Sequence, residues 1–201
     1  MLNHVHEQHP WVSEHPDWFN DSCVCGFGDC DWSTYELECW FTEYLPDLNY
    51  RQHDLVNQAV EDVMWWMKTY DIDGFRVDAA KHMDTVILNH LRLRLDAAVV
   101  EHGGADVYLV GETYTGNDGY DQIVKYIGDD RLHGQFDFPL MWWIRYAFVY
   151  GDSLRNLDAA VQKSREKYGD AWMSVFAGNH NIPRLATEMT GGGWGPWANT
   201  P

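Results

Sequence analysis

The fold of this 201-residue chain is decided by residues 73–82, which read Asp-Gly-Phe-Arg-Val-Asp-Ala-Ala-Lys-His. A short strand is predicted over 72–77, and the apolar period before it predicts an amphipathic helix over 54–69. Arg76 and Asp78 are two residues apart on this strand, so their side chains point to the same face. A cation beside a carboxylate keeps it ionised, which suits a nucleophile.

Outward from this stretch, strands alternate with helices. We expect further strands over 107–111, 133–137 and 173–177, and further helices over 84–101, 119–127 and 152–167. Such alternation predicts an α/β fold with a parallel sheet, whose site lies at the carboxyl ends of the strands.

Polar residues follow these strands directly. Asp78, Glu112 and Asn181 each come at or just after a strand end, so we expect them to converge. A carboxyl group near other anions keeps its proton more readily, which suits Glu112 as a general acid. Two carboxyl groups across a cleft are the requirement for cleaving a glycosidic bond. Taken singly, each acid could instead cap the next helix.

The composition argues against two classes of protein. The chain has 31 acidic and 14 basic residues and a net charge of −17, which repels phosphate, so we expect no nucleic-acid partner. No apolar run approaches the roughly 20 residues of a membrane span. The 11 tryptophans suit either a core or the flat walls of a sugar-binding cleft.

Four cysteines lie close together, at positions 23, 25, 30 and 39. Their spacing fits poorly with common zinc sites, and Cys23 and Cys25 are too close to bridge each other comfortably. Two disulfides remain possible, either 23–30 with 25–39 or 23–39 with 25–30. Free thiols or a metal are the alternatives. Disulfides would indicate an oxidising compartment.

Five segments together resemble glycoside hydrolase family 13, the α-amylase family. Residues 73–82 match its second signature, Val110–Glu112 the third and Phe176–Asn181 the fourth. Leu45–Asn49 resembles the additional signature ahead of helix 3, and Met1–His4 resembles the tail of the first signature. The segments occur in the family's order and span the whole chain.

The resemblance implies part of a (β/α)8 TIM barrel, from the end of strand 3 to strand 7. Residues 1–4 would end strand 3, residues 5–48 would form the inserted irregular domain B, and residues 49–201 would form barrel units 4 to 7. Strands 1, 2 and 8 and the C-terminal β-domain would be absent, which makes the chain a fragment. Full length, the protein is expected to be a monomer.

The resemblance also assigns the residues of the site. Asp78 would be the nucleophile and Glu112 the acid/base, with Arg76 orienting Asp78. His4 and His180 would hydrogen-bond the sugar at the cleavage subsite, and Lys81 would contact sugar on the leaving-group side. The implied substrate is starch or another α-glucan or oligosaccharide.

A structural calcium ion is implied as well. Its ligands would be Asn3, Asp47 and the backbone carbonyl of His82, all hard oxygens as Ca²⁺ prefers. A further acid from domain B is needed, and Asp29 or Asp31 could supply it. For His82 the alternative is a capping or packing role. The resemblance and the cysteines together imply a secreted or periplasmic protein, although residues 1–6 lack the features of a signal peptide.

One position departs from the family pattern. The fourth signature normally reads Asn-His-Asp, and here the third residue is Asn181. The amide is nearly isosteric with the carboxylate but carries no charge. A retaining α-glucan hydrolase is therefore the leading hypothesis. A related transglycosylase or isomerase, or an impaired relative that binds sugar without turnover, are the alternatives.

Overall fold

The computed structural model describes residues 3–21, 23–102 and 106–191, which form two compact units. The first unit holds the described residues up to Glu112 together with Tyr126–His133. The second holds Thr113–Lys125 and the described residues from Gly134 onward. Met1 and Leu2, the start of the segment assigned to strand 3, lie outside the described residues. The predicted boundaries after residues 4 and 48 stay predictions.

The first unit opens with an irregular segment that contains helix α1 (Pro10–Glu14) and a 3-10 turn (Pro16–Trp18). Two disulfides cross-link it, Cys23–Cys30 and Cys25–Cys39, with Cα–Cα distances of 5.9 and 5.1 Å. The first of the two predicted pairings is therefore present. Among the described residues no cysteine is free.

Two long helices carry the core of the first unit. Helix α2 (His53–Tyr70) buries six apolar side chains at helical period, as predicted: Leu55, Val56, Ala59, Val60, Val63 and Met64. It ends at Asp71, whose φ of 51° places it in the left-handed region and stops the helix. Helix α3 (Thr85–His102) packs against α2 and starts after Asp84, whose side chain accepts a hydrogen bond from the Val86 N–H at 3.1 Å.

Strands β1 (Gly74–Val77) and β2 (Tyr108–Gly111) confirm the first two predicted strands. They pair in parallel, with Gly74 opposite Tyr108 and Val77 opposite Gly111. A Cβ on Gly74 would lie 2.5 Å from the Tyr108 carbonyl oxygen, so only glycine permits this close approach. The unit β1–α3–β2 is thus the parallel α/β element that the sequence predicts.

The second unit is mainly helical. It contains strand β3 (Gly134–Gln135) and helices α4 (Tyr120–Val124), α5 (Phe138–Phe148), α6 (Leu154–Tyr168) and α7 (Leu185–Met189). Both α4 and α5 pack on α6. The helix predicted over 152–167 is confirmed as α6, while the one predicted over 119–127 is shorter.

The two later strands are shorter than predicted. β3 has two residues, and residues 173–177 contribute an isolated bridge between Phe136 and Ser174. Directly after this short strand, the Asp137 side chain accepts a hydrogen bond from the Leu140 N–H at 3.0 Å and so caps α5. The helix starts at Phe138, because the capping bond and Pro139 both favour a helix N-terminus.

No helix among the described residues has the length and apolar character needed to cross a membrane.

The disulfide connectivity can be tested directly. Digestion of the non-reduced protein with a protease that cuts beside Val24, such as elastase, should release peptides linked as 23–30 and 25–39, because these sulfur atoms are paired. Mass spectrometry identifies the linked peptides, and a reduced sample is the control. Peptides linked as 23–39 and 25–30, or four freely alkylated thiols, would contradict the structure.

Candidate active site

The site is built where β1 and β2 end side by side. The Glu112 N–H donates to the Val77 carbonyl at 2.9 Å, and the Ala80 N–H donates to the Glu112 carbonyl at 2.8 Å. Between these bonds the chain turns at Ala79, whose φ of 47° is in the left-handed region. Non-glycine residues adopt this region rarely and at a cost in energy. The backbone therefore fixes Asp78 and Glu112 at adjacent strand ends, as predicted.

Arg76 joins these two carboxylates. Its Nη1 lies 2.6 Å from Asp78 Oδ1, and its Nη2 contacts Glu112 Oε2. The contact to Asp78 confirms the geometry expected from their spacing, while the contact to Glu112 is additional. Asp78 is open, with 36% of its side chain exposed, whereas 9% of the Glu112 side chain is exposed. One guanidinium thus offsets the repulsion between two acids, one open and one buried.

His4 lies beside this pair. Burial lowers the pKa of His4, while the charge of Asp78 acts in the opposite direction. Its ring packs near Phe41, with 5.2 Å between ring centroids. The Nδ1 atom is buried and has no hydrogen-bond partner among the described residues. His4, the position assigned to sugar binding, therefore lies within electrostatic reach of Asp78, with its Nδ1 atom buried.

His82 links the irregular segment to the site. Its ring meets Phe41 and Trp32 edge-on, at 4.8 and 5.6 Å between centroids. Nδ1 donates to the Glu36 carbonyl at 2.7 Å, since a carbonyl oxygen only accepts. Burial lowers the pKa of His82 to about 4. The side chain has the packing role that was the alternative for this residue.

Lys81 is next to this contact. Burial lowers the pKa of Lys81, and the charge of Glu36 acts in the opposite direction. The Tyr126 hydroxyl donates to the Lys81 carbonyl at 2.9 Å, which fixes the backbone of the turn. Lys81 lies three residues after Asp78, and the hydrogen bond from Tyr126 holds its backbone in place.

The first two residues assigned to calcium lie together. Asn3 donates to one oxygen of Asp47, and Asn20 Nδ2 donates to the other at 2.7 Å. Asn3 and Asp47 are both buried, and Asn3 Oδ1 has no partner among the described residues. Burial raises the pKa of Asp47 to about 7. A buried carboxylate and an unpaired amide oxygen fit a hard cation in their chemistry.

The acids considered from domain B are arranged differently. Asp31 accepts hydrogen bonds from the backbone N–H groups of Ser33 and Thr34, at 2.9 and 3.0 Å, and so stabilises a local turn. Asp29 is exposed. The side chain of this segment that reaches Asp47 is Asn20, which sequence reasoning missed. Among the described residues no cluster of three or more His, Cys, Asp or Glu could hold a metal.

His180 and Asn181 belong to the second unit, where both are exposed. The Asn181 N–H donates to the Asn179 side-chain oxygen at 2.9 Å, which forms a tight turn. The expected convergence of Asn181 with Asp78 and Glu112 stays a prediction.

Comparison with known proteins identifies the family of this chain. The family described as "Alpha amylase, catalytic domain" matches residues 4–193. The chain belongs to the alpha-amylase family. It is 30% identical over 180 residues to an alpha-amylase of Streptomyces lividans, covering 87% of this chain and 19% of that protein. It is also 28% identical over 227 residues to a trehalose synthase/amylase of Mycobacterium tuberculosis, covering 94% of this chain and 36% of that one.

Solved alpha-amylases share the fold. The enzyme of Geobacillus thermoleovorans, solved in complex with acarbose, matches with a TM-score of 0.79 at 24% identity, over 94% of this chain and 41% of that one. The enzyme of Malbranchea cinnamomea matches with a TM-score of 0.72 at 25% identity, over 93% and 37%. The chain thus spans less than half of these relatives, and its fold is part of their (β/α)8 barrel, as predicted.

The burial of Asp47 predicts a pH dependence of stability. Its pKa is about 7 in the folded protein against 3.8 ordinarily, so the folded state keeps a proton that the unfolded chain loses. In the presence of a chelator, Asp47 should destabilise the protein progressively as pH rises from 4 to 7, by up to about 4 kcal/mol. Urea unfolding across this range should show the free energy of unfolding of the parent falling relative to that of Asp47→Asn, because other groups such as His82 titrate equally in both proteins.

The matched control is Asp158→Asn, which changes an exposed aspartate on α6. Its stability should follow that of the parent at every pH. Parallel curves for the parent protein and Asp47→Asn would contradict the assignment.

Proposed function

We propose that this chain carries the reacting groups of a retaining glycoside hydrolase that cleaves the α-glucosidic bonds of starch and maltooligosaccharides. The observation that supports it best is the pair Asp78 and Glu112, fixed at adjacent strand ends and joined by Arg76. Retaining hydrolysis needs two carboxyl groups close enough to flank one glycosidic bond.

The two environments suit two roles. The open Asp78 carboxylate attacks the anomeric carbon and forms a covalent glycosyl–enzyme bond as the glycosidic C–O bond breaks. Glu112, the buried acid, gives its proton to the departing oxygen. It then takes a proton from water, which attacks the anomeric carbon and releases Asp78. Arg76 holds Asp78 toward the substrate in both steps.

Sugar contacts come from residues around this pair. His4, with its unpaired Nδ1 near Asp78, binds a hydroxyl at the cleavage subsite. Lys81 binds sugar on the leaving-group side, and His180 supplies a further hydrogen bond. Trp32 is 47% exposed beside His82, and its flat ring suits a sugar face.

Asn181 limits the rate. In the family pattern a carboxylate here strengthens its bonds to sugar hydroxyls as positive charge develops on the ring. The amide keeps the hydrogen-bonding shape and lacks the charge. The protein therefore binds α-glucan and cleaves it slowly. Sugar binding without turnover is the second candidate function, and Asn181 is the residue that favours it.

Transfer is the other alternative, because the same carboxylates serve transglycosylases and isomerases. The similarity to a protein named trehalose synthase/amylase favours keeping it. The two outcomes differ in whether water or a sugar hydroxyl attacks the glycosyl–enzyme, so product analysis distinguishes them.

A calcium ion belongs to this proposal as a structural group. Asn3, Asp47 and the backbone carbonyl of His82 would hold it, and Asn20 adds an amide beside Asp47. When bound, the ion supplies positive charge to a buried carboxylate. The two disulfides favour a secreted or periplasmic protein, since such bonds persist in oxidising compartments.

Calcium should stabilise the protein through Asp47. At pH 8 and a calcium concentration 100 times the Kd, we expect a gain of about 2.7 kcal/mol in the free energy of unfolding. The gain should be smaller at pH 5, because Asp47 is then protonated, and absent in Asp47→Asn. Asp158→Asn should keep it. An equal gain in Asp47→Asn would exclude these ligands.

Activity can be tested with single substitutions in the complete natural protein. Asp78→Asn and Glu112→Gln should each abolish the cleavage of maltoheptaose that the parent shows. Asn181→Asp should raise kcat by about 10²–10⁴, since a carboxylate there restores roughly 3–5 kcal/mol of transition-state stabilisation. Steady-state kinetics gives kcat, and calorimetry gives the affinity for the sugar, which should change little.

The control is Asn57→Asp, the same change at an exposed site on α2. It should leave kcat unchanged. Equal turnover by the parent and Asn181→Asp would mean that another group supplies the charge. Binding of maltoheptaose without cleavage by both proteins would favour the sugar-binding alternative.

A further inference from the structure

Arg145 is a fully buried cation in the second unit. It lies on α5, and its side chain has no exposed surface. Nη2 contacts Glu188 Oε2 on α7, and the Tyr150 hydroxyl donates to the other oxygen of Glu188 at 3.2 Å. Glu188, the carboxylate partner of Arg145, is therefore itself held in place by Tyr150.

The same guanidinium also binds two backbone carbonyls. Nη1 donates to Ala177 at 2.7 Å, and Nη2 donates to Pro183 at 2.8 Å. These two residues lie on either side of the turn that carries His180 and Asn181. One rigid fork thus contacts both ends of the segment 177–183, which we call the 177–183 loop.

Backbone pairing does little to hold this loop. Among the described residues, the backbone–backbone hydrogen bonds before it end at Ser174, and those after it resume at Arg184. Ile182 is buried against Phe138 and Met141, and this apolar contact anchors one side of the turn. The position of the turn therefore depends on Ile182 and on the two bonds from Arg145.

Burying the charge of Arg145 costs a desolvation free energy that an apolar side chain of the same volume would not. Replacing a buried ion pair with apolar side chains of similar volume is often neutral or stabilising. An apolar side chain cannot bind the carbonyls of Ala177 and Pro183. Lysine cannot reproduce the planar fork that reaches three acceptors at once. The guanidinium is thus the one side chain that satisfies Glu188 and both loop ends.

We propose that Arg145 is a positioning residue, which fixes the 177–183 loop so that His180 and Asn181 present their side chains to the sugar. Arg145 acts through the backbone of this loop and does not contact substrate. The role rests on the proposed function, because it assumes that the two loop side chains bind the substrate.

The test separates positioning from simple stability. Arg145→Met with Glu188→Leu removes both charges and leaves no buried charge unpaired, so the melting temperature should fall less than in Arg145→Met alone. The carbonyls of Ala177 and Pro183 lose their donor in both variants, which lowers the stability of both. The two loop bonds are lost, and kcat on maltoheptaose should fall by about tenfold or more with a smaller change in KM. Arg165→Met, at an exposed site on α6, is the matched control and should change neither value.

Coupling to Asn181 gives the sharper readout. In the parent, Asn181→Asp should raise kcat, and in the Arg145→Met, Glu188→Leu protein most of that gain should disappear. A residue that only stabilises the fold would leave the gain intact. The same gain in both proteins therefore overturns the proposal. If the double variant does not fold, Arg145→Lys takes its place in the same comparison.

A measurement that needs no activity distinguishes this proposal from the proposed function. Trypsin cuts after Arg184, which is exposed at the end of the loop. Cleavage there, in the folded protein, should be about tenfold faster in the Arg145 variants than in the parent and the Arg165 control. An unchanged rate of tryptic cleavage overturns the positioning role of Arg145 even if the protein is an active hydrolase. Faster cleavage with no action on maltoheptaose supports that role and rejects the proposed hydrolase activity.

Discussion

Two backbone hydrogen bonds and one guanidinium organise the site of the first unit. The bonds between Glu112 and the residues Val77 and Ala80 lock the ends of β1 and β2 together at fixed register. That register leaves two carboxylates side by side, which would repel each other. Arg76 binds both and makes the arrangement favourable.

The sequence predicts this part of the molecule well, and for a local reason. The period of the apolar residues marks α2, the capping residue Asp84 marks the start of α3, and short apolar runs mark β1 and β2. The spacing of Arg76 and Asp78 alone places them on one face. Other features depend on residues distant in the chain. The contact of Arg76 with Glu112 crosses 36 residues, and that of Asn20 with Asp47 crosses 27. A local sequence pattern cannot reveal contacts between residues so far apart in the chain.

In the second unit the predicted strands are present but shorter. The strand predicted over 133–137 is reduced to β3 and a bridge at Phe136, directly before the helix that Asp137 caps. The length of this strand depends on pairing with Ser174, which is distant in the chain and which composition does not reveal. The choice between the two disulfide pairings likewise depends on how the irregular segment folds back on itself, which spacing alone does not determine.

The covalent links of the irregular segment begin and end within residues 23–39. Apart from the main chain, the contacts between this segment and the turn at residues 79–82 are non-covalent, such as the bond from His82 to the Glu36 carbonyl. The disulfide partners are complete within the segment, so these cross-links depend on no cysteine elsewhere in the chain. The loop between Cys30 and Cys39 contacts His82 through the Glu36 carbonyl and the Trp32 ring. A substitution in this loop therefore acts directly on the turn that follows Asp78.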